Sequence, residues 1–182
     1  MSSFKFKIED YILYILNRLE PKNSDKIRLN KIAFFVEFAY LLKYKKPLSS
    51  ADYAAINLGP VIDQYDSILK NMEQHSLVKI DGPIIRPLAS PGTEVPEELR
   101  NFIDQLMAKY SGLNDNELIA LSHLTDSYKI TTDNEKKMGG LIDKKLALLE
   151  TFLDENMESE PELKESELPK IKRAELVSYA SR

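Results

Sequence analysis

The sequence of 182 residues contains no cysteine and only two histidines. Disulfides and thiolate metal sites are therefore excluded, and two imidazoles without thiolates are too few for a dedicated zinc site. The six glycines form no glycine-rich turn after a strand, so no phosphate-binding loop is expected. The lack of cysteine agrees with a reducing compartment. We expect a cytoplasmic protein that holds no cofactor and no metal.

The sequence also lacks a basic excess and an apolar run of membrane-spanning length. Its formal net charge is −4 at pH 7, whereas nucleic-acid-binding domains are usually basic. The apolar side chains of the first 21 residues have the spacing of an amphipathic helix. We therefore predict that this segment is not a cleavable leader. The most apolar stretch is too short, and too closely flanked by lysine and arginine, to cross a bilayer.

That stretch, Ile27–Tyr44, is the strongest structural signal in the sequence. Over residues 32–42 Glu37 is the only charged side chain. A segment that is apolar on nearly every face predicts a helix buried on most sides. Burial of its large side chains stabilises by roughly 1.5–3 kcal/mol each before conformational entropy is subtracted. Ser24 or Asp25 is expected to cap this helix, which we predict to be the central one.

Apolar spacing and capping residues place the other helices. They are predicted over Ile8–Leu19, Ala51–Leu58, Pro60–Met72, Pro96–Tyr110 and from the capping box of Asn114 and Glu117 to Leu124, with a last long helix from Met138 or Gly140 to Phe152. Gly59 is expected to end one helix and Pro60 to begin the next, because glycine readily takes the left-handed conformation and the first helical position needs no N–H.

Two segments break the helical pattern. The period changes to two at Leu77–Ile80 and at Pro83–Arg86, which predicts a β-hairpin with its turn at Asp81 and Gly82. The polar segment Thr125–Asp133 is expected to be irregular. The predicted fold class is therefore mainly α: a compact single-domain helical bundle around a central buried helix, with one small β-hairpin.

Beyond residue 153 the composition changes. Residues 154–182 contain eight acids and five bases and carry three of the four net negative charges. This composition is typical of a solvated linker. We therefore expect a folded domain over 1–153, followed by an acidic C-terminal tail over 154–182 with a possible short helix from Lys170 to Ala180.

Short motifs in a fixed order give the chain a family resemblance. They are carried by Leu29, Lys31, Ile32, Phe34, Phe35, Pro47, Leu48, Gly59, Pro60, Val61, Tyr65, Leu121, Ser122 and Thr125. Over Ile27–Tyr128 this order and spacing resembles the Panacea domain of SocA-like antitoxins. Two positions depart from the family pattern: Ile56 stands about where a tryptophan often precedes Gly-Pro-Val, and Asp126 stands where a histidine often follows the threonine.

The resemblance implies a mostly α-helical domain that acts as the antitoxin of a toxin–antitoxin pair, and 1–153 is then a Panacea-like domain. Such members look like general antidotes that contact unrelated toxins directly, so the implied partner is a cognate toxin that is blocked sterically. Two alternatives stay open. One is a nucleic-acid-binding regulator, against which the acidic balance argues; the other is a phage or mobile-element adaptor that delivers its partner to a cellular protease.

One candidate contact surface lies on the predicted central helix. Glu37 shares a stripe with Tyr40 and Tyr44, which lie three and seven positions further along the helix. The stripe is a candidate partner-binding groove with Glu37 as its anchor. Alternatively, it faces water, or Glu37 bonds a tyrosine or lysine inside the domain, because a buried carboxylate without a partner is costly.

The tail supplies a second set of candidates. Ile171, Leu176 and Tyr179 are expected to dock on a toxin whose basic surface attracts the acidic segment before them. Alternatively, the tail serves solubility alone.

No grouping of side chains in the sequence predicts catalysis. Ser122, His123 and Asp126 are neighbours along the chain, but a catalytic triad must converge in space, and adjacent positions on a helix point apart. Lys43, Lys45 and Lys46 form a basic loop without stacking residues, which is typical of a solvated surface. We expect a protein without enzymatic activity.

Overall fold

The computed structural model describes residues 4–156 of the chain. The α-helices are α1 (Ile8–Leu16), α2 (Lys26–Tyr44), α3 (Tyr65–Gln74), α4 (Glu97–Ser111), α5 (Asp115–Leu124), α6 (Asp126–Thr131) and α7 (Thr151–Asn156), and 3-10 helices occupy Pro21–Asn23 and Lys144–Leu149. Strands β1 (Tyr53–Ile56) and β2 (Gly59–Ile62) form one antiparallel hairpin, and β3 (Val78–Asp81) and β4 (Ile84–Pro87) form another. The fold is mainly α, with two hairpins where one was predicted. No helix in the described range is long and apolar enough to cross a bilayer.

Helix α2 forms where the apolar run predicts it. The Asp25 carboxylate caps its N-terminus by accepting a bond from the Arg28 N–H at 2.8 Å. Ser24, the other predicted cap, instead donates its hydroxyl to the Ile85 carbonyl. Every residue from Lys26 to Leu41 is buried. The helix therefore has no face open to water over most of its length, and it packs against α1, α4, α5, α7, β2 and the second 3-10 helix.

Aromatic side chains from three other elements fix the position of α2. Phe35 stacks on Tyr110 of α4 with ring centroids 4.4 Å apart. The hydroxyls of Tyr11 and Tyr53, from α1 and β1, both donate to the Ala33 carbonyl, at 2.7 and 3.0 Å. Each buried hydroxyl thus has an acceptor, as an apolar interior requires.

The segment 51–62 differs from the prediction. It was expected to hold a helix over Ala51–Leu58 and a second helix beginning at Pro60, and both expectations are wrong. Instead, β1 pairs with β2 in a register that sets Tyr53 opposite Ile62 and Ile56 opposite Gly59. The first residue of β2, Gly59, has φ +88°, which glycine adopts at little cost. The following helix, α3, begins only at Tyr65.

The second hairpin and the next two helices lie close to their predicted positions. The β3–β4 turn contains Gly82 and Pro83, one residue later than predicted. The β4 strand also bonds to the chain before α2, where the Ile85 N–H donates to the Ser24 carbonyl at 2.7 Å. Helix α5 begins with the predicted capping box, in which Asn114 and Glu117 each bond the other's backbone N–H.

The C-terminal part of the described chain differs again. Thr125–Asp133 was expected to be irregular, but it contains α6. The long helix predicted up to Phe152 is wrong, because residues 139–142 are extended beside β1 and only a 3-10 helix and α7 follow. Gly139, with φ +86°, interrupts the helical pattern at this point. The predictions for residues 157–182 concern a part of the chain that lies outside the described residues.

Asp25 provides a test of how α2 begins. Burial and the neighbouring Asp115 raise the pKa of its carboxyl to about 6, although bonds from Arg28 oppose the rise. The folded state binds the Asp25 proton more tightly than the unfolded state does. The protonated carboxyl therefore stabilises the folded protein below about pH 4, and this stabilisation is lost as the pH rises through 6. The loss amounts to about 3 kcal/mol.

We predict that Asp25→Asn, which keeps an equally good cap, removes this loss. Urea unfolding of both proteins from pH 4 to pH 7 measures the difference in free energy of unfolding. The wild type should lose about 2.4 kcal/mol relative to the variant over that window, because most of the titration between the two pKa values falls inside it. Parallel pH profiles would show that the Asp25 carboxyl does not titrate in the folded protein as described.

Candidate functional site

Three distant motif segments converge around Gly59. The Lys31 side chain of α2 donates through Nζ to the Pro60 carbonyl at 2.8 Å. A Cβ atom at position 59 would lie 2.2 Å from Ser122 Oγ, 3.2 Å from Lys31 Nζ and 3.3 Å from His123 Cδ2. We call these five residues, Lys31, Gly59, Pro60, Ser122 and His123, the Gly59 cluster. It joins α2, β2 and α5 at one point.

Within the cluster, Lys31 is fully buried. Burial lowers the pKa of its amine well below the ordinary value, because a charged ammonium loses its hydration there. The carbonyl of Pro60 accepts its hydrogen bond. This bond ties the start of β2 to α2.

His123 forms the outer side of the cluster. Its ring stacks on Tyr128 at a centroid distance of 4.6 Å, and Nδ1 lies 2.7 Å from the Glu135 carboxylate. Burial lowers the pKa of His123, although Glu135 works in the opposite direction. The imidazole is thus held between a ring and a carboxylate at the end of α5.

The neighbours of His123 in sequence are engaged elsewhere. The Ser122 hydroxyl donates to the Ile119 carbonyl at 2.7 Å. The Asp126 carboxylate accepts from both the N–H and the hydroxyl of Thr151, at the start of α7. These three side chains therefore point to three different partners. Among residues 4–156 no group of three or more histidine, aspartate or glutamate side chains is placed to hold a metal ion.

Glu37, a predicted partner contact, lies inside the domain. Its carboxylate accepts from the Ser49 hydroxyl at 2.5 Å, from the Leu48 and Ser49 N–H groups, and from Lys144 Nζ at 3.0 Å. Burial raises its pKa, and the Lys144 ammonium is the largest opposing effect. This arrangement corresponds to the alternative in which Glu37 bonds a lysine of the same domain.

The other predicted contacts on α2, Tyr40 and Tyr44, pack beside Phe102 of α4. Tyr40 is buried, whereas Tyr44 is half-buried, and their rings lie 4.6 Å apart beside Phe102. The Lys43 ammonium lies 5.0 Å from the Phe102 ring centroid, a cation–π distance. Tyr44 is thus the member of the stripe that reaches the surface. Ile171, Leu176 and Tyr179 lie outside the described residues.

The motif residues singled out from the sequence are buried, with one exception: Pro47 is half-buried. The buried ones are Leu29, Lys31, Ile32, Phe34, Phe35, Leu48, Gly59, Pro60, Val61, Tyr65, Leu121, Ser122 and Thr125. Side chains in this position pack the domain together and do not present a surface to a partner. The motif residues therefore form the part of the interior where α2, β2 and α5 pack together.

Three charged residues that bond to buried or half-buried groups were missed from the sequence, and of these only Glu150 is itself buried. Lys144 lies 107 positions from Glu37, so no local pattern connects them. Glu150 is buried, and it accepts bonds from the N–H groups of Asp126 and Ser127 and from the Ser127 hydroxyl. Glu135 follows α6 and lies between the segment expected to be irregular, which ends at Asp133, and the start of the predicted last helix. A carboxylate among apolar residues, as at Glu150, was the only available signal.

The fold and its buried polar cluster define a mainly helical domain with two small hairpins. A family model described as "Antitoxin SocA-like, Panacea domain" matches residues 29–129, which is more than half of the chain. The chain belongs to this family, as the sequence motifs predicted. Comparisons with curated proteins and with solved structures gave no match. Family membership associates the chain with toxin–antitoxin systems and with a toxin partner in general.

The Glu37–Lys144 pair yields a stability prediction. Lys144→Met leaves a buried carboxylate without its cation, and we expect a loss of about 3 kcal/mol in the free energy of unfolding. The double variant Glu37→Gln/Lys144→Met should be less destabilised than Lys144→Met alone. Lys145→Met, at the exposed next position, is the control and should change stability by less than about 0.5 kcal/mol. Equal losses at 144 and 145 would show that the ion pair contributes nothing.

Gly59 yields a second prediction, with Gly82 as its control. Both residues have positive φ, but a Cβ at Gly82 would meet nothing within 4 Å. Gly82→Ala should therefore cost only the backbone strain, about 1 kcal/mol, and Gly59→Ala should cost at least about 2 kcal/mol more because of overpacking. Adding Ser122→Ala, which removes the clashing hydroxyl, should recover part of that difference in urea unfolding. Equal costs at the two glycines would contradict the close packing at Gly59.

Proposed function

We propose that the protein is an antitoxin that neutralises a cognate toxin by direct contact in the cytoplasm, with no reaction of its own. The observation that carries this proposal is the family match over 29–129. Binding of this protein blocks the toxin sterically. The ionisable groups of the family motif, Lys31 among them, are used to hold the interior together, which supports a binding role over a catalytic one.

The distribution of exposed apolar side chains supports a contact surface near the end of the described chain. Among residues 4–156, the large apolar residues that are exposed are Leu88, Ile130, Met138, Leu141, Leu148 and Leu149. All but Leu88 lie between 130 and 149, directly after the family match. Exposed apolar side chains grouped in this way are typical of interaction sites. We therefore assign the toxin contact to the end of this group, at Leu148 and Leu149 of the second 3-10 helix, in addition to the half-buried Tyr44.

The test is coexpression with the product of the reading frame that adjoins this gene. We expect that product to arrest growth by itself, the wild-type chain to restore growth, and the two proteins to copurify. Leu148→Glu/Leu149→Glu should weaken binding at least about tenfold, because buried charge at an interface is costly. Leu88→Glu, an equally exposed leucine elsewhere, is the matched control and should bind normally.

Three results would contradict parts of this proposal. Growth arrest that persists in the presence of the wild-type chain would remove the antitoxin function. Loss of the toxin on immunoblots during rescue would favour an adaptor that delivers it to a protease. A gel shift on the chain's own upstream DNA, with no copurified protein, would favour a transcriptional regulator.

A further inference from the structure

The segment that follows α6 lies over the open edge of β1. We call residues 133–142 the strap. The Gly139 N–H donates to the Ala55 carbonyl at 2.7 Å, the Ala55 N–H donates to the Gly140 carbonyl at 2.9 Å, and the Ile142 N–H donates to the Tyr53 carbonyl at 2.8 Å. These bonds satisfy backbone groups that an edge strand otherwise offers to another chain.

The strap also covers the outer side of the Gly59 cluster. Its Glu135 carboxylate lies 2.7 Å from His123 Nδ1. The Tyr128 hydroxyl, which bonds the Ile56 carbonyl at the end of β1, lies 3.7 Å from the Met138 sulfur. The strap thus pairs with the β1 edge and also contacts the His123 imidazole.

The backbone of the strap is strained. Asp133, Asn134 and Glu135 have φ of 50°, 53° and 68°, three successive non-glycine residues in the left-handed region. Such residues rarely adopt this conformation, and they persist only where surrounding contacts hold them. Here the contacts include the Glu135–His123 pair and the bond from the Glu135 N–H to the Thr132 hydroxyl at 3.0 Å.

The strap has little apolar anchoring of its own. Leu141 is 63% exposed and Met138 is 40% exposed, whereas Ile142 at its end is buried. A segment with few buried apolar contacts opens more readily than the core to which it is attached. The family match ends at 129 and the strap begins at 133, so the strap lies outside the matched residues and pairs with β1, which lies inside them.

We propose that the strap is a releasable cover, and that an extended segment of the toxin replaces it by pairing with the β1 edge. This inference rests on the proposed antitoxin function. After release, β1 presents the Ala55 N–H and the carbonyls of Tyr53 and Ala55, the pattern that strand addition uses. The side chain at the centre of the edge, Ala54, is small, so it admits an apolar side chain opposite, where Leu141 lies now.

A disulfide across this edge tests the proposal, and the natural absence of cysteine makes it unambiguous. Ala54 and Leu141 face each other between the two bonded pairs of the antiparallel bridge. Side chains at such a non-hydrogen-bonded position are close enough for a disulfide. The A54C/L141C variant therefore locks the strap when oxidised and frees it when reduced, which makes the reduced protein the matched control.

The first measurement is amide hydrogen exchange without a partner. In the wild type, we expect the Ala55 and Ile142 amides to exchange at least tenfold faster than amides in the middle of α2, such as that of Phe35. Oxidation of A54C/L141C should abolish this difference. E135Q should raise the exchange of the strap amides, while E94Q, the same change at an exposed site, should not. Exchange of Ala55 and Ile142 at the α2 rate in the wild type overturns the proposal.

The second measurement is binding of the purified product of the adjoining reading frame. The oxidised variant should bind at least tenfold more weakly than the reduced variant, and E135Q should bind at least as tightly as the wild type. Equal binding of the oxidised and reduced forms overturns the strap proposal and leaves the antitoxin function intact. If the wild type does not bind, the antitoxin function is wrong, and so is the proposal that the toxin pairs with β1. In that case the hydrogen-exchange measurement still shows whether the strap opens.

Discussion

The fold depends on satisfying charged groups along a helix that water does not reach. Arg28, Lys31 and Glu37 all lie on α2, and all three are buried. A buried ion without partners costs several kcal/mol, so each of these groups requires donors or acceptors from another part of the chain. The positions of those partners decide which loops and strands pack against the helix.

The partners come from separate regions. The Arg28 guanidinium donates to the carbonyls of Ser111 and Leu113, in the turn between α4 and α5, at 3.2 and 2.7 Å. Lys31 holds β2, and Glu37 holds both the loop after α2 and the second 3-10 helix. Apolar packing alone tolerates many similar arrangements. These polar contacts select one of those arrangements, because a shift of any segment that carries a partner would leave a buried charge unsatisfied.

The sequence predicted the elements whose signals are local. The apolar run of α2, the Asn114 capping box and the alternation at 77–86 each depend on residues within a few positions of one another. The hairpin over 53–62 has no such signal, because its strands are short and the Gly59-Pro60 pair also fits a boundary between helices. Contacts distant in sequence decide its structure: the Asn30 side chain accepts the Ile62 N–H at 2.7 Å, and residues 139–142 pair with β1.

The same distinction separates the motif from the site. The motif was recognisable because its members have a fixed order and spacing, but their buried positions give them the role of an internal joint between α2, β2 and α5. The residues that identify the family are therefore residues of the interior. A surface that contacts a partner must be built from residues outside this interior, and the exposed apolar residues after 129 lie outside it. Because the strap is bonded to β1 and to His123, a partner that displaces it acts directly on the joint that the motif builds.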